Sequence, residues 1–242
     1  MPKLYLLGTG IRGLLQITQE TQQALSISDK IYVLHSDLGV IRNLEETFDA
    51  EVVDLEYIYR GVKTRNDAYK QIAQLIVGAT SEATTVSFVV HGHPLFLVSA
   101  SEYIYGLAER KSITVHALPS VTSLDTIMCD LQLDLGYALQ IYDTTTLLRR
   151  NHQLDNRAEA LFFQLTSTLN PNVIDQLGSD DTLAEFREYL LRFYPHDHPV
   201  KVVYSAATAF SGSIVQELEL SKLSAQSLNL VERPTLYVPA IE

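Results

Sequence analysis

The sequence predicts an α/β protein built from two domains with mostly parallel or mixed sheets. Three observations lead there. Short apolar, β-branched runs alternate with helix-period stretches from Lys3 to Leu118, the pattern of strand–helix–strand units around a parallel sheet. Two of those runs end in sharp turns, Gly8-Thr9-Gly10 and Gly92-His93-Pro94. The character of the chain then changes after Pro119, which divides it into domains 1–118 and 119–242.

Taken in order, Lys3–Leu7 is a short apolar strand that runs into Gly8-Thr9-Gly10-Ile11-Arg12-Gly13. Ile17 to Ser26 reads as a helix that Thr18 can cap. Ile31–Leu34 is a second strand, Val40 to Phe48 a helix, and Glu51–Leu55 a third strand. A polar, aromatic loop spans Glu56 to Thr64. Arg65 to Val77 is helical, because Tyr69, Ile72, Ala73 and Ile76 recur at helical spacing. Thr84–Val90 is the fourth strand, Ser99–Glu109 a helix and Ile113–Leu118 the fifth strand.

Beyond Pro119 the spacing predicts a helix over Ser123–Leu131 and then a loop around Gly136. Cys129 is expected on the buried face of that helix. Leu161–Leu165, Val200–Tyr204 and Thr235–Val238 read as strands, with an amphipathic helix over Asp181–Phe193. Ile214–Leu220 alternates apolar and polar, as a strand with one exposed face does.

Composition narrows the function. The chain has 242 residues, with 18 basic against 29 acidic side chains and a formal net charge of −11. Such a surface repels phosphate backbones, so nucleic acid is not an expected partner. No apolar run approaches the ~20 residues that span a bilayer, so no membrane partner is expected. Met1-Pro2-Lys3 does not open a signal peptide. Cys129 is the only cysteine; no internal disulfide can form, and a cytoplasmic location is expected.

The Gly-His-Pro turn directs attention to a ligand. Open α/β sheets bind small molecules at the carboxyl ends of their strands. Gly92 permits close backbone approach, and Pro94 fixes φ and removes a donor. The first glycine turn also fits G-x-G-x-x-G, which in a dinucleotide fold seats a pyrophosphate at a helix amino terminus. That reading needs an acidic residue about 20 positions on; Asp37 is the nearest, past His35 and Ser36. It is further weakened because Leu14-Leu15-Gln16-Ile17 delays the helix. A tight turn without a ligand is the plainer alternative. His91 and His93 form an H-x-H pair, but no third metal ligand is evident and no metal is expected. His93 is expected to brace its own turn. His196 and His198 read as part of a solvated loop, and Tyr103 and Tyr105 as core or dimer-contact aromatics.

Leu7-Gly8-Thr9-Gly10, Gly92-His93-Pro94 and Pro234-Thr235-Leu236-Tyr237-Val238-Pro239 together resemble the tetrapyrrole-methylase-like (class III) S-adenosylmethionine-dependent methyltransferases. The resemblance covers nearly the whole chain in the same order. It implies two α/β domains with a cofactor cleft between them, S-adenosylmethionine as cofactor, S-adenosylhomocysteine as product, and a homodimer. It assigns cofactor contacts to Gly8, Gly10, His93, Pro94, Phe96, Val98, Ser99, Thr122, Ser123, Gln164, Pro234 and Thr235. Within that family, the segment from Tyr57 to Tyr69 is most similar to borosin-type peptide backbone N-methyltransferases. Their spacing of Tyr, Arg six positions on and Tyr four further is matched by Tyr59, Arg65 and Tyr69. Phe193-Tyr194-Pro195-His196-Asp197-His198 also looks like the split bacterial members. Methylase-like domains linked to nucleotide pyrophosphohydrolases share the Gly-His-Pro turn and the last strand. Two positions depart from the pattern: His91 stands where borosin enzymes have tyrosine, and Ser120 replaces the glycine of the family's Pro-Gly turn.

The resemblance implies transfer of methyl groups to backbone amides of a precursor peptide supplied in trans, since the chain ends at Glu242 without a fused substrate. An amide nitrogen is a poor nucleophile, its lone pair being delocalised into the carbonyl. The reaction therefore needs a group to accept the N–H proton and another to stabilise charge on the carbonyl oxygen. Tyr59, Arg65, Tyr69 and His91 are the candidates. A phenol becomes a base only where a cation lowers its pKa from about 10, and Arg65 is permanently charged. His91 can replace the missing phenol. Tyr59 is expected on a loop that folds over the cleft. The plainer alternative makes the cluster a surface feature, with Arg65 and Asp67 as charges at a helix start. Tyr142-Asp143-Thr144-Thr145 is a candidate lining of the substrate side. Two other functions fit the same fold: C-methylation of a tetrapyrrole or corrin precursor, and a non-catalytic cofactor-binding sensor or scaffold.

Overall fold

The computed structural model describes residues 3–82, 85–134, 136–173, 181–208 and 210–241. Met1, Pro2 and Thr84 lie outside them. The chain forms two compact units, Met1–Asp125 with Ala207–Phe210, and Thr126–Ala206 with Ser211–Glu242.

The first unit is built on five parallel strands, β1 (Lys3–Gly8), β2 (Lys30–Leu34), β3 (Glu51–Asp54), β4 (Thr85–Val90) and β5 (Thr114–Ala117), in the order β3-β2-β4-β1-β5. Its described residues include the helices α1 (Gln19–Ser26), α2 (Leu38–Thr47), α3 (Glu56–Arg60), α4 (Arg65–Glu82) and α5 (Ser99–Arg110). Alternation along the strands explains the layering. Leu4 and Leu6 of β1 and Val86, Phe88 and Val90 of β4 pack with Ile72 and Ile76 of α4 and Ile104 of α5. Leu7, Val33 and Val89 point the other way, onto Leu25 of α1 and Leu44 of α2. Ser87, on that second face, meets Ser28 Oγ at 2.7 Å, so its buried hydroxyl is satisfied. Thr18 caps α1 by accepting from the Thr21 N–H.

The second unit opens with α6 (Ser123–Leu131), whose first residues belong to the first unit, and carries a mixed sheet. Its strands are β6 (Leu139–Asp143), β7 (Glu159–Phe163), β8 (Pro199–Tyr204), β9 (Ile214–Glu219) and β10 (Thr235–Val238), ordered β6-β7-β10-β8-β9. Only the β6–β7 pair is parallel. Phe162, Val202 and Leu236 face Leu147 of α7 (Thr144–Arg150) and Phe186 and Leu190 of α8 (Ala184–Leu190) in one core.

Three expectations are corrected, and beyond the expected loop around Gly136 two unanticipated elements appear. Tyr59 lies on the short helix α3, because Leu55 and Tyr57 carbonyls already accept from Ile58, Tyr59 and Gly61 N–H groups. The segment after Gly136 forms strand β6 and helix α7, with the Asp143 carboxylate capping α7 through the Thr146 N–H at 2.7 Å. Helix α8 is shorter than Asp181–Phe193, because the Asp181 carboxylate turns outward to Arg187 Nη1 at 3.0 Å and to the Ala225 N–H at 2.9 Å. Cys129 is exposed; on α6 it is Ile127 that is buried. Among the described residues no helix is long and apolar enough to cross a membrane.

Candidate active site

All five strands of the first sheet run parallel, so the loops after them leave at one edge. That edge gathers Gly8–Gly13 after β1, His35–Asp37 after β2, Tyr59 on α3 after β3, His91–Val98 after β4, and Pro119–Ser120 after β5. Strand order, which no local pattern reveals, makes neighbours of residues far apart in sequence.

Two of these loops are joined by backbone. Thr9 N–H donates to the Val90 carbonyl at 3.0 Å, Gly10 N–H to Gly92 O at 3.3 Å, and Gly92 N–H to Gly10 O at 2.9 Å. Gly10 and Gly92 hold φ of +73° and +75°, which disfavours any side chain there. A Cβ on Gly8 would sit 1.9 Å from Gly92 O and 2.9 Å from Ser120 Oγ. Glycine is thus required at position 8 for loop-to-loop approach.

The same geometry disposes of the dinucleotide reading. Gln16 Oε1 accepts from the Ile11 N–H at 2.7 Å and the Arg12 N–H at 2.9 Å, occupying the amides a pyrophosphate would need. Gly13 opens only a single 3₁₀ turn, Gly13–Gln16, and Asp37 caps α2 through the Gly39 N–H.

The Gly-His-Pro loop is held by its own bonds. His93 Nδ1 accepts from the Leu95 N–H at 3.0 Å, bracing the turn as the sequence suggests. Phe96 N–H donates to His93 O, and the buried Ser101 hydroxyl donates to Pro94 O at 2.6 Å. Leu97 takes φ of +59°, and Val98 precedes the first turn of α5, which begins at Ser99. His91 is exposed, and its Nδ1 lies 3.4 Å from Nε2 of the buried His35.

The aromatic cluster assembles where α3 meets α4. The rings of Tyr59 and Tyr69 lie 5.9 Å apart, tilted by 36°. Arg65 begins α4, one turn before Tyr69, so the two share a face. Asp67 lies in the first turn of α4, where its carboxylate accepts from Thr64 Oγ1 at 2.6 Å and its N–H donates to Thr64 Oγ1 at 3.2 Å. Tyr103 belongs to the packing of α5 on α4, its hydroxyl donating to Asn66 Oδ1.

Thr122 caps α6: its N–H and hydroxyl donate to the Asp125 carboxylate, and its Oγ1 accepts from the Asp125 N–H. Ser123 is the first residue of that helix. Between β5 and this cap, the Ser120 hydroxyl is buried without a hydrogen-bond partner among the described residues, an arrangement that costs about 1–3 kcal/mol unless something else satisfies it.

In the second unit, Gln164 follows β7 with φ of +65°, and its side chain accepts from Ser167 Oγ. Pro234 and Thr235 are buried at the start of β10. Tyr142 stacks on Phe162, and the Thr144 and Thr145 hydroxyls bond Thr168 Oγ1 and the Leu169 N–H. His196 and His198 lie in an exposed turn before β8, as the sequence suggests; half-buried His198 also places its Nε2 3.0 Å from Pro239 O. Three residues that shape the first sheet's edge escaped sequence reasoning, namely Gln16, His35 and Ser101. A glutamine three positions past the last glycine was the only local signal among them.

Comparisons with known proteins agree with this architecture. A fungal methyltransferase/type II borosin cyclic peptide precursor from Phlebiopsis gigantea is 26% identical over 241 residues, covering 98% of this chain and 43% of that protein. A type I borosin precursor from Serendipita vermifera subsp. bescii is 29% identical over 163 residues, covering 67% of this chain and 40% of that one. The chain therefore spans less than half the length of these two relatives. In three dimensions, the uroporphyrin-III C-methyltransferase of Thermus thermophilus, crystallised with S-adenosylhomocysteine, superposes with a TM-score of 0.65 at 14% identity, over 98% of this chain and 97% of that one. The family profile described as Tetrapyrrole (Corrin/Porphyrin) Methylases matches residues 3–220. With that match spanning the whole first sheet, both of its glycine-bearing loops and every strand of the second sheet but β10, the chain belongs to the tetrapyrrole (corrin/porphyrin) methylase family.

Proposed function

We propose that the protein is an S-adenosylmethionine-dependent methyltransferase that methylates backbone amide nitrogens of a precursor peptide supplied as a separate molecule. The observation that carries this reading is the pairing of Tyr59 with Tyr69 beside Arg65, at the sheet edge that also bears the joined Gly8–Gly10 and Gly92–Pro94 loops.

The edge fits the cofactor. The Ser120 hydroxyl is buried and unpartnered next to the Gly8 turn, and calls for a polar ligand atom. The loop from His93 to Ser99 is fixed by internal hydrogen bonds, so a ligand meets it already ordered. When bound, the cofactor supplies a methyl group on an activated sulfonium. The remaining tasks fall to the protein: one of Tyr59 and Tyr69 relays the amide proton, the other donates to the carbonyl oxygen, and Arg65 stabilises the negative charge that gathers there. Holding the amide nitrogen in line with the methyl group supplies the rest.

The test is co-expression with small peptides encoded beside the gene, followed by fragmentation mass spectrometry. Mass increments of about 14 Da located on backbone amides bear the proposal out. Methylation of uroporphyrinogen III with no modified peptide would replace it by tetrapyrrole C-methylation. An enamine-like tetrapyrrole carbon is already nucleophilic and has less need of the Tyr/Arg cluster.

A further inference from the structure

His35 and His91 follow the paired ends of two adjacent parallel strands, Leu34 of β2 lying opposite Val90 of β4. His35 is 6% exposed, and its Nδ1 accepts from the Asp37 N–H at 3.0 Å. An imidazole nitrogen that accepts from an amide carries no proton, so the proton of neutral His35 is on Nε2. That Nε2 is the atom 3.4 Å from His91 Nδ1, and the two rings meet edge-on with centroids 5.2 Å apart. With His35 as donor, His91 Nδ1 is the acceptor, and the proton of neutral His91 is on Nε2. Burial also disfavours a second proton on His35 more than the neighbouring Asp37 favours one, which keeps the pair in this arrangement.

We infer that His35 is a positioning residue that fixes His91 as its Nε2–H tautomer, so that His91 serves as hydrogen-bond donor to the carbonyl oxygen of the substrate amide and not as the acceptor of its proton. His91 keeps its proton throughout and donates to that oxygen alongside one tyrosine, while the amide proton goes to the other tyrosine. The identity of the accepting oxygen rests on the peptide reading above; the tautomer does not.

The experiment uses the full chain labelled with ¹⁵N-histidine. Two-bond ¹⁵N–¹H correlations at neutral pH, assigned through His91→Gln, should show an unprotonated Nδ1 and a protonated Nε2 on His91. In His35→Phe, or His35→Leu if the first does not fold, the His91 titration midpoint should rise, because Nδ1 no longer faces a donor. A protonated Nδ1, or a midpoint unmoved by the loss of His35, overturns the relay. On a methylated peptide, His91→Phe should lower kcat by about 10²–10³-fold. His91→Gln, whose amide donates from the same place but cannot take a proton, should recover most of that loss. A glutamine variant as slow as the phenylalanine one overturns the donor role. Absence of any peptide methylation in the parent enzyme would strike the function and leave the tautomer result standing.

Discussion

Gly8 is a position where one methyl group decides the local geometry. Its missing Cβ leaves room for the Gly92 carbonyl, and both atoms are backbone, so neither can swing aside. Gly8→Ala should part the two loops and destabilise the protein by about 1–3 kcal/mol, the usual cost of overpacking. The denaturation midpoint reads this directly, and calorimetry should show weakened S-adenosylhomocysteine binding; a variant normal in both would leave the joined loops without a role. His35 gives a second residue-scale expectation. Its folded pKa is lowered by burial from an ordinary 6.5. The unfolded chain therefore binds the proton more readily, and stability from this group is complete above pH 6.5 and is lost as pH falls from there through the lowered folded value. Urea midpoints at descending pH should drop less steeply in His35→Phe. The Tyr59–Tyr69 contact was legible in the sequence, because the segment that carries the family resemblance holds both residues within a short stretch. His35 was not, since its partner His91 stands 56 residues away and only the strand order makes them neighbours.

At the scale of elements, the aromatic site depends on α3 being a helix and not a loop. A helical Tyr59 has a fixed place against α4; under the proposed function this preorganises its hydroxyl, which is worth more than a mobile phenol. Tyr59→Phe keeps the ring packing on Tyr69 and removes only the hydroxyl. It should depress turnover by about 10²–10⁴-fold, the usual contribution of a proton-transfer group, with affinity for S-adenosylhomocysteine unchanged. Undiminished turnover would remove Tyr59 from the chemistry. Strands β1, β2 and β4 were readable because their apolar runs, buried on both faces, carry a strong signal. Helix α7 was hidden by the three threonines of its first turn, poor helix formers that an Asp143 cap overrides. Strand β6, at a sheet edge and only half-buried, lacks the apolar run that marked the others.

For the molecule as a whole, each unit has its own sheet and its own core, and a small ligand acts on stability through the native fold that creates its site. A compound that binds only the folded chain stabilises it by about 2.7 kcal/mol at one hundred times its dissociation constant. For domains of roughly 150–250 residues that corresponds to a rise in melting temperature of about 5–11 °C. S-adenosylhomocysteine at that excess should produce such a rise, while adenosine alone should give less, lacking the amino-acid part. Location follows from hydrogen exchange: amides of the Gly8–Gly13 and His91–Val98 loops should slow when the compound is present, because the edge of the first sheet is where the unpartnered Ser120 hydroxyl and the ordered loops lie. A thermal shift without protection in those loops would place the cofactor elsewhere. The absence of both responses would falsify the assignment of this edge as a methyl-donor site.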